Sequence, residues 1–231
     1  QTYVTGKAAW LAGRALRAQI LGLSNMGADA RLSLTGQTLV VSDGAGERRI
    51  DLGALTPGAH GYALMVEETY DPPTTPLDAD GQGAPYAVYG YGAQIAEVSV
   101  DSVLGTVKVT RITAAHDLGR VINPLLAEGQ VEGGVAQGLG LALMEEYIPG
   151  RTENLHDYLI PTTGDMPRID TIFVEVPDPE GPMGAKGLGE HVLIPTAPAI
   201  LNAIRHATGA RITDLPALPH RVLAAIRKAR G

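Results

Sequence analysis

Residues 127–146 are Ala127-Glu128-Gly129-Gln130-Val131-Glu132-Gly133-Gly134-Val135-Ala136-Gln137-Gly138-Leu139-Gly140-Leu141-Ala142-Leu143-Met144-Glu145-Glu146. Wound into a helix, this stretch presents apolar or small side chains almost all round, which is typical of a helix buried in a core. We therefore predict a buried helix over residues 127–147.

Glycines recur along this helix, and each costs about 1 kcal/mol relative to alanine. A compensating contact must offset that cost. Close packing against a neighbouring helix or sheet is one explanation, and we expect it for Gly138 and Gly140. The other is that the N-terminal end of the helix approaches an anionic cofactor, whose phosphate the free backbone N–H groups would favour. Both explanations can hold, and the glycines concerned are Gly129, Gly133, Gly134, Gly138 and Gly140.

A second glycine-rich stretch brings a carboxylate to the start of an apolar segment: Gly181-Pro182-Met183-Gly184-Ala185-Lys186-Gly187-Leu188-Gly189-Glu190. Glycine has no Cβ and tolerates positive φ, so such a loop can lie close to a bulky ligand. Glu190 would then stand where that ligand ends. The alternative is a helix over residues 190–207 in which Glu190 only complements the dipole of the first turn.

The rest of the chain mixes helical and strand patterns. We predict helices over 6–23 and 219–230, a meander of short strands at 32–34, 38–41 and 48–50, and strands at 62–70 and 172–176. Residues 86–101 and 106–115 are predicted as paired strands, and residues 71–86 as a long loop. Helices with mainly antiparallel strands indicate an α+β fold. We treat 1–231 as one region, with 1–115 and 116–231 as its candidate subdomains.

Composition excludes several classes of protein. With 231 residues, 45% of them hydrophobic, the chain can form a proper core. A net charge of −7 with dispersed Lys and Arg argues against a nucleic-acid surface. No stretch approaches the roughly 18 uninterrupted apolar residues of a membrane helix, and no signal sequence is apparent. We expect a soluble, cytoplasmic protein without a membrane span. Because residue 1 is Gln, we also expect a processed or trimmed product, or a piece of a longer polypeptide.

The residue types needed for several other sites are missing. The chain has no cysteine, so it cannot itself ligate an iron–sulfur cluster through thiolates. Its six histidines lack the spacing of a zinc site, and we expect them on the surface or in packing contacts. The glycine loops match neither a dinucleotide fingerprint nor a P-loop, and Gly-x-Ser-x-Gly is absent. Nucleotide binding and serine hydrolysis therefore have no support.

Taken in order, these motifs resemble the molybdenum-cofactor-binding subunit of the xanthine dehydrogenase and aldehyde oxidoreductase family of molybdenum hydroxylases. The resemblance rests on the two glycine-rich stretches and on Ile122-Asn123-Pro124 before the first. It extends to residues 2–6, 92–101 and 105–109, and so covers nearly the whole chain. It implies the C-terminal molybdopterin-binding region of such a subunit. The cofactor would be molybdenum-molybdopterin, plain or as the cytosine dinucleotide, with no metal ligand from the protein.

The resemblance also implies roles for individual residues. Glu190 would be the active-site base in the hydroxylation of an electron-poor carbon, in a heteroaromatic compound or an aldehyde, with oxygen from water. Gln130 would contact the pterin through its side-chain amide. The remaining implied cofactor contacts are Thr2 and the loop residues Ala185, Lys186, Gly187, Leu188 and Gly189, the loop acting mainly through backbone atoms. Gln1 departs from the Ser that some relatives carry before Thr2.

The same resemblance implies partners. The other side of the pterin site, the iron–sulfur clusters and FAD would belong to a chain carrying the rest of the molybdenum subunit, to an iron–sulfur subunit and to an FAD subunit. The substrate would be a small molecule, with purines, nicotinate-like heterocycles and aldehydes all open. Two alternatives remain: a non-catalytic scaffold of the same fold, or a sugar- or peptide-binding module that uses the loop at residues 72–85.

Overall fold

The amphipathic pattern near the N-terminus forms α1 (Val4–Ser24) in the computed structural model, which describes all residues from Gln1 to Gly231. Three antiparallel strands follow, β1 (Arg31–Thr35), β2 (Thr38–Ser42) and β3 (Glu47–Asp51), in the order β1-β2-β3. A small core forms between helix and meander, with Ile20 and Val41 among its buried residues. The predicted helix and meander are both confirmed, and they lie in a first compact unit, Gln1–Pro85.

The predicted strand at residues 62–70 is wrong. The segment is irregular and pairs with no strand, and Tyr62 and Met65 are exposed. A strand needs a hydrogen-bonded neighbour, which the residue types of the segment itself do not supply. The sheet of the meander contains only β1, β2 and β3, so residues 62–70 add no fourth strand to it. The long loop that was predicted after this segment is confirmed as irregular.

The second unit, Tyr86–Gly231, contains a sheet in the order β4-β5-β6. Its strands are β4 (Gly92–Val100), β5 (Val107–Asp117) and β6 (Arg168–Val174). β4 and β5 are antiparallel, as predicted, with a bulge between Glu97 and Val98. β6 pairs with β5 in parallel, and the connection between them contains α2 (Pro124–Leu143). Helices with mainly antiparallel strands confirm the α+β class.

α2 begins before residue 127, where the sequence placed its start. Asn123 caps the helix by accepting a hydrogen bond from the Leu126 N–H (3.1 Å), and Pro124 occupies the first turn, where its missing N–H is tolerated. The prediction of a helix buried all round is wrong for its N-terminal half, because Leu125, Leu126 and Gln130 are exposed. Burial becomes dense only from Val131 onward.

The last two helices are α3 (Thr196–Thr208) and α4 (Pro219–Arg230). α4 is as predicted, but α3 does not start at Glu190. Residues Glu190–Val192 form a separate 3-10 turn, and Pro195 is the N-cap of α3. Prolines lack a backbone N–H and fit the cap and first turn of a helix, so Pro195 and Pro198 fix the start at Thr196. Glu190 is therefore not a first-turn acid of α3.

One core joins the sheet to the three helices of this unit, with Ile112, Val135, Ile200 and Ile226 at or near zero exposure. The chain divides at Pro85 and Tyr86. A division near residue 115 would instead cut β5, which pairs with β4 on one side and β6 on the other. None of the helices combines the length and apolar character that crossing a membrane requires.

Candidate functional site

The parallel pair β5 and β6 brings two strand ends to one edge of the sheet, where Asp117 lies opposite Val174. β4 runs the other way and begins at the same edge, with Gly92 opposite His116. Ligands of sheets with parallel strands bind outside the carboxyl ends of those strands. This edge is also where the glycine-rich loop at residues 181–190 attaches.

Backbone contacts fasten the loop to the segment after β5. The Arg120 N–H donates to the Gly184 carbonyl (2.9 Å), and the Lys186 N–H donates to the Leu118 carbonyl (2.8 Å). Gly119 and Ala185 form an isolated β-bridge. At Gly119 (φ +64°) an added Cβ would stand 2.3 Å from the Gly184 carbonyl oxygen, so only glycine permits this approach. The first half of the loop thus packs against its own chain.

A buried ion pair fixes the middle of the loop. Lys186 Nζ lies 2.5 Å from Asp117 Oδ2, and the two side chains are only 9% and 6% exposed. Burial opposes ionisation of Asp117, but hydrogen bonds from Lys186 and from the Gly119 N–H prevail and lower its pKa. The Lys186 ammonium is thus neutralised within the chain. Its predicted role as a cofactor contact can concern only its backbone.

The end of the loop presents Glu190 on the 3-10 turn Glu190–Val192. The Glu190 side chain is exposed and makes no hydrogen bond or ion pair within the chain. Two residues later, Val192 is fully buried against α2: a Cβ added at Gly134 would stand 2.6 Å from the Val192 Cβ. Gly134 therefore lets the turn that carries Glu190 sit directly on α2.

Gln130 lies one helical turn before Gly134 on the same face of α2, because residues four apart stand one above the other. Its side chain is exposed and forms no hydrogen bond within the chain. Since Gly134 contacts Val192, the structure brings Gln130 and Glu190 to neighbouring turns of two packed elements. α2 thus carries an unengaged amide, and the turn packed on it carries an unengaged carboxylate.

The glycines of α2 separate into two groups. Gly134, Gly138 and Gly140 have no room for a Cβ; at Gly138 it would stand 2.4 Å from the Thr196 Cβ, and at Gly140 1.9 Å from Glu145 Oε1. The packing against a neighbouring helix that was predicted is confirmed for Gly138, which faces α3, whereas Gly140 packs against the irregular residues Glu145 and Pro161. Gly129 and Gly133 face open space, because a Cβ added at either would have no neighbouring atom within 4 Å. Backbone next to Gln130 is therefore accessible.

The other predicted residues are distributed as follows. Ala185 and Leu188 are buried, with 2% and 9% exposure, while Gly187 and Gly189 face open space. Thr2 belongs to the first unit, where its side chain is exposed just before α1. No group of three or more His, Cys, Asp or Glu side chains is placed to hold a metal ion.

The sequence did not predict a polar cluster beside the Glu190 turn. Gln94 Nε2 donates to the Val192 carbonyl (2.9 Å) and lies 3.2 Å from His116 Nε2. The His116 and His191 rings pack at a centroid distance of 5.3 Å. Burial, helped by the neighbouring His191, lowers the pKa of His116 to about 4. Burial also lowers the pKa of His191, against the attraction of Asp117. Both imidazoles are neutral near pH 7.

The His116 and His191 rings lie in packing contacts, which is one of the two environments we expected. No spacing in the sequence connects Gln94, His116 and Val192, because their contact depends on strand register and on how the Glu190 turn docks. The one available signal was the pair of glycines at Gly90 and Gly92, which lie against the two rings.

Comparison with known proteins adds an independent line of evidence. The sequence matches the family of molybdopterin cofactor-binding domains over residues 1–167, a match that ends before the Glu190 loop. The putative xanthine dehydrogenase molybdenum-binding subunit of Escherichia coli strain K12 is 44% identical over 138 residues, or 57% of this chain and 18% of that protein. The chain thus spans about a fifth of the length of the curated relatives it matches.

Solved structures agree with the sequence match. The aldehyde oxidoreductase from Desulfovibrio desulfuricans has a TM-score of 0.67 at 39% identity, over 72% of this chain and 19% of that one. Cu,Mo-CO dehydrogenase has a TM-score of 0.73 over 98% of this chain and 29% of that one. At 22% identity the second likeness concerns the fold alone.

Proposed function

Since this chain belongs to the family of molybdopterin cofactor-binding domains, we propose that it forms the C-terminal molybdopterin-binding part of a molybdenum hydroxylase. The reaction is hydroxylation of an electron-poor carbon, in a heteroaromatic compound or an aldehyde, with oxygen from water. The observation that carries the proposal is the packing of the Glu190 turn on α2 through Val192 and Gly134. That helix also carries the unengaged Gln130 amide, and the turn carries the unengaged Glu190 carboxylate. Bound molybdopterin would supply the metal centre that takes electrons from the substrate.

The residues around these two side chains fit a pterin cofactor. A glutamine amide offers donors and an acceptor, which suits the edge of a pterin. The backbone is open at Gly129 and Gly133 of α2 and at Gly187 and Gly189 of the loop. Open glycine backbone lets a bulky ligand approach either element closely. The Asp117–Lys186 pair keeps the loop in place without presenting its charges to that ligand.

Glu190 is the general base in this proposal. A base must lie within hydrogen-bond reach of the proton that it removes, and a carboxylate on a fixed turn can be held at that distance. The turn is fixed because Val192 is buried on Gly134 and because the Val192 carbonyl accepts from Gln94. Glu190 would accept the proton of the attacking water-derived oxygen, and Gln130 would hold the pterin in register with it.

The complete enzyme needs parts that lie outside these residues. The rest of the molybdenum subunit would close the other side of the cofactor, and an iron–sulfur subunit and an FAD subunit would carry electrons away. This chain contains no cysteine with which to hold such clusters itself. We propose a cytoplasmic complex of these components, with the cofactor as molybdopterin or its cytosine dinucleotide.

The test is Glu190→Gln in the assembled complex, with Glu180→Gln as the control. Both carboxylates are exposed and belong to the same loop region, but only Glu190 stands on the turn packed against α2. Glutamine keeps the size of the side chain and cannot take up the proton, so turnover should fall by about 10²–10⁴-fold. Molybdenum content should match the control.

The measurement is molybdenum analysis together with reduction of the metal by a purine, nicotinate and an aromatic aldehyde. Near-normal reduction in a fully loaded Glu190→Gln complex would remove Glu190 from the mechanism. A complex without stoichiometric molybdenum would instead favour a non-catalytic scaffold of the same fold.

A further inference from the structure

Besides the burial of Val192 on Gly134, hydrogen bonds to one backbone atom hold the turn that carries Glu190. The Val192 carbonyl accepts hydrogen bonds from Gln94 Nε2 (2.9 Å) and from Thr196 Oγ1 (3.3 Å). Thr196 belongs to α3, directly after the turn, whereas Gln94 reaches across from β4. Gln94 is thus the long-range hydrogen-bond donor to the Glu190 turn.

The Gln94 side chain is itself positioned by a contact with His116. The amide nitrogen of Gln94 donates to the Val192 carbonyl, and its second N–H faces His116 Nε2 at 3.2 Å. His116 Nε2 must then be the acceptor, which places the imidazole proton on Nδ1. The His116 ring is fully buried, and the adjacent His191 ring packs on it. A neutral His116 in a single tautomer therefore fixes the direction of the Gln94 amide.

Two glycines, one just before β4 and one at its start, pack against the cluster formed by Gln94, His116 and His191. A Cβ at Gly92 would stand 2.5 Å from His116 Nδ1, and one at Gly90 would stand 3.1 Å from His191 Cε1. Three buried atoms in it have no hydrogen-bond partner, namely Gln94 Oε1, His116 Nδ1 and His191 Nε2. Apolar side chains could fill the same space without needing hydrogen-bond partners. A buried polar cluster at this place therefore points to a task other than packing.

We propose that Gln94, backed by His116 and His191, is a positioning residue that sets the direction of the Glu190 carboxylate through the Val192 carbonyl. The inference rests on the proposed role of Glu190 as the base. It assigns to this cluster a task in the reaction without contact to substrate or cofactor.

The experiment compares Gln94→Met with Gln137→Met in the assembled complex. Methionine has the length of glutamine but cannot donate to the Val192 carbonyl, and Gln137 is an exposed residue of α2 without hydrogen bonds. A misplaced base lowers the rate of chemistry more than substrate binding. With the purine, nicotinate or aldehyde that the unmodified complex oxidises, kcat should fall by about 10–100-fold in Gln94→Met. KM and molybdenum content should stay as in the control.

Two further readouts separate positioning from general loss of structure. Hydrogen–deuterium exchange of the peptide covering residues 188–194 should be faster in Gln94→Met than in Gln137→Met, whether or not the enzyme turns over. In a Glu190→Gln background, adding Gln94→Met should cause no further loss of turnover, because the base that Gln94 directs is already gone.

Several results would overturn the inference. Unchanged exchange over residues 188–194, unchanged kcat, or an equally large further loss in the Glu190→Gln background would each do so. If Gln94→Met does not assemble, Gln94→Asn is measured in its place, and failure of both to assemble would assign Gln94 a structural role only. Normal turnover in Glu190→Gln rejects the proposed function together with this inference, whereas a loss there without any in Gln94→Met rejects the inference alone.

Discussion

At the scale of single residues, the two charged side chains of the loop lie in opposite environments, one buried and one exposed. Lys186 is buried and paired with Asp117, whereas Glu190, four residues later, is exposed and has no partner. Removing one member of a buried pair leaves an uncompensated charge, so Lys186 contributes to holding the loop. Of the two charged side chains of the loop, Glu190 is the one left available.

Gln130 gives the first prediction at this scale. Gln130→Ala removes an exposed side chain that makes no hydrogen bond within the chain, so thermal stability without cofactor should be unchanged. If the amide binds the pterin, cofactor affinity should fall by roughly 1–3 kcal/mol. Molybdopterin content of the purified complex measures this, with Gln137→Ala as the control. Equal cofactor content in both variants would make Gln130 an ordinary surface residue of α2.

His116 gives a prediction about acid stability. Burial lowers its pKa to about 4, whereas an unfolded histidine has a pKa near 6.5. Between about pH 6.5 and pH 4 the unfolded chain therefore binds a proton that the folded chain does not. Folding stability should decline as the pH falls through this window. In His116→Met the decline should be shallower than in His206→Met, an exposed control, when melting temperature is measured against pH. Identical slopes would contradict the assigned burial effect.

At the scale of secondary-structure elements, the packing of α2 on α3 depends on Gly138. In Gly138→Ala the new Cβ would overlap the Cβ of buried Thr196, and overpacking costs about 1–3 kcal/mol. In Gly13→Ala, within α1, nothing lies near the new methyl group, and the gain in helix propensity is up to about 1 kcal/mol. We expect a lower melting temperature for the first variant and a higher one for the second. A higher melting temperature for Gly138→Ala would show that α3 can shift away from α2 without loss of stability.

Local signals in the sequence account for the elements that were predicted well. The spacing of apolar residues in α1 and the turn between β4 and β5 both act over a few residues. The parallel pairing of β6 could not be predicted in this way, since it depends on where the crossover through α2 returns. The start of α3 was misplaced because the glycine-rich loop continues into a 3-10 turn before Pro195.

The candidate site likewise combines residues that the sequence predicts with long-range contacts that it does not. Glu190, Gln130 and the glycines are visible in the sequence as motifs, and the contact of Gly134 with Val192 joins the two elements that carry Gln130 and Glu190. The Lys186–Asp117 pair and the Gln94–Val192 contact join residues 69 and 98 positions apart. Such contacts are set by strand register and loop docking, which residue types alone do not specify.

At the scale of the whole molecule, the chain exposes many large apolar side chains. In the second unit Leu125 and Leu126 are 77% and 71% exposed, and Ile95 and Ile194 are 71% and 67% exposed. Isolated exposed apolar residues are common, but so many in one unit are typical of surfaces that a partner covers. We propose that the rest of the molybdenum subunit covers them.

The last prediction follows from that surface. Residues 1–231 produced alone should self-associate and bind no molybdopterin, because apolar surface stays in water and the other side of the cofactor site is missing. Produced together with the remaining subunit sequence, the same residues should elute as one defined complex containing molybdenum. Size-exclusion chromatography with light scattering, combined with metal analysis of each peak, distinguishes the two cases. A monodisperse monomer that takes up molybdopterin without a partner would mean that Gln130, Glu190 and the open glycines form a complete site by themselves.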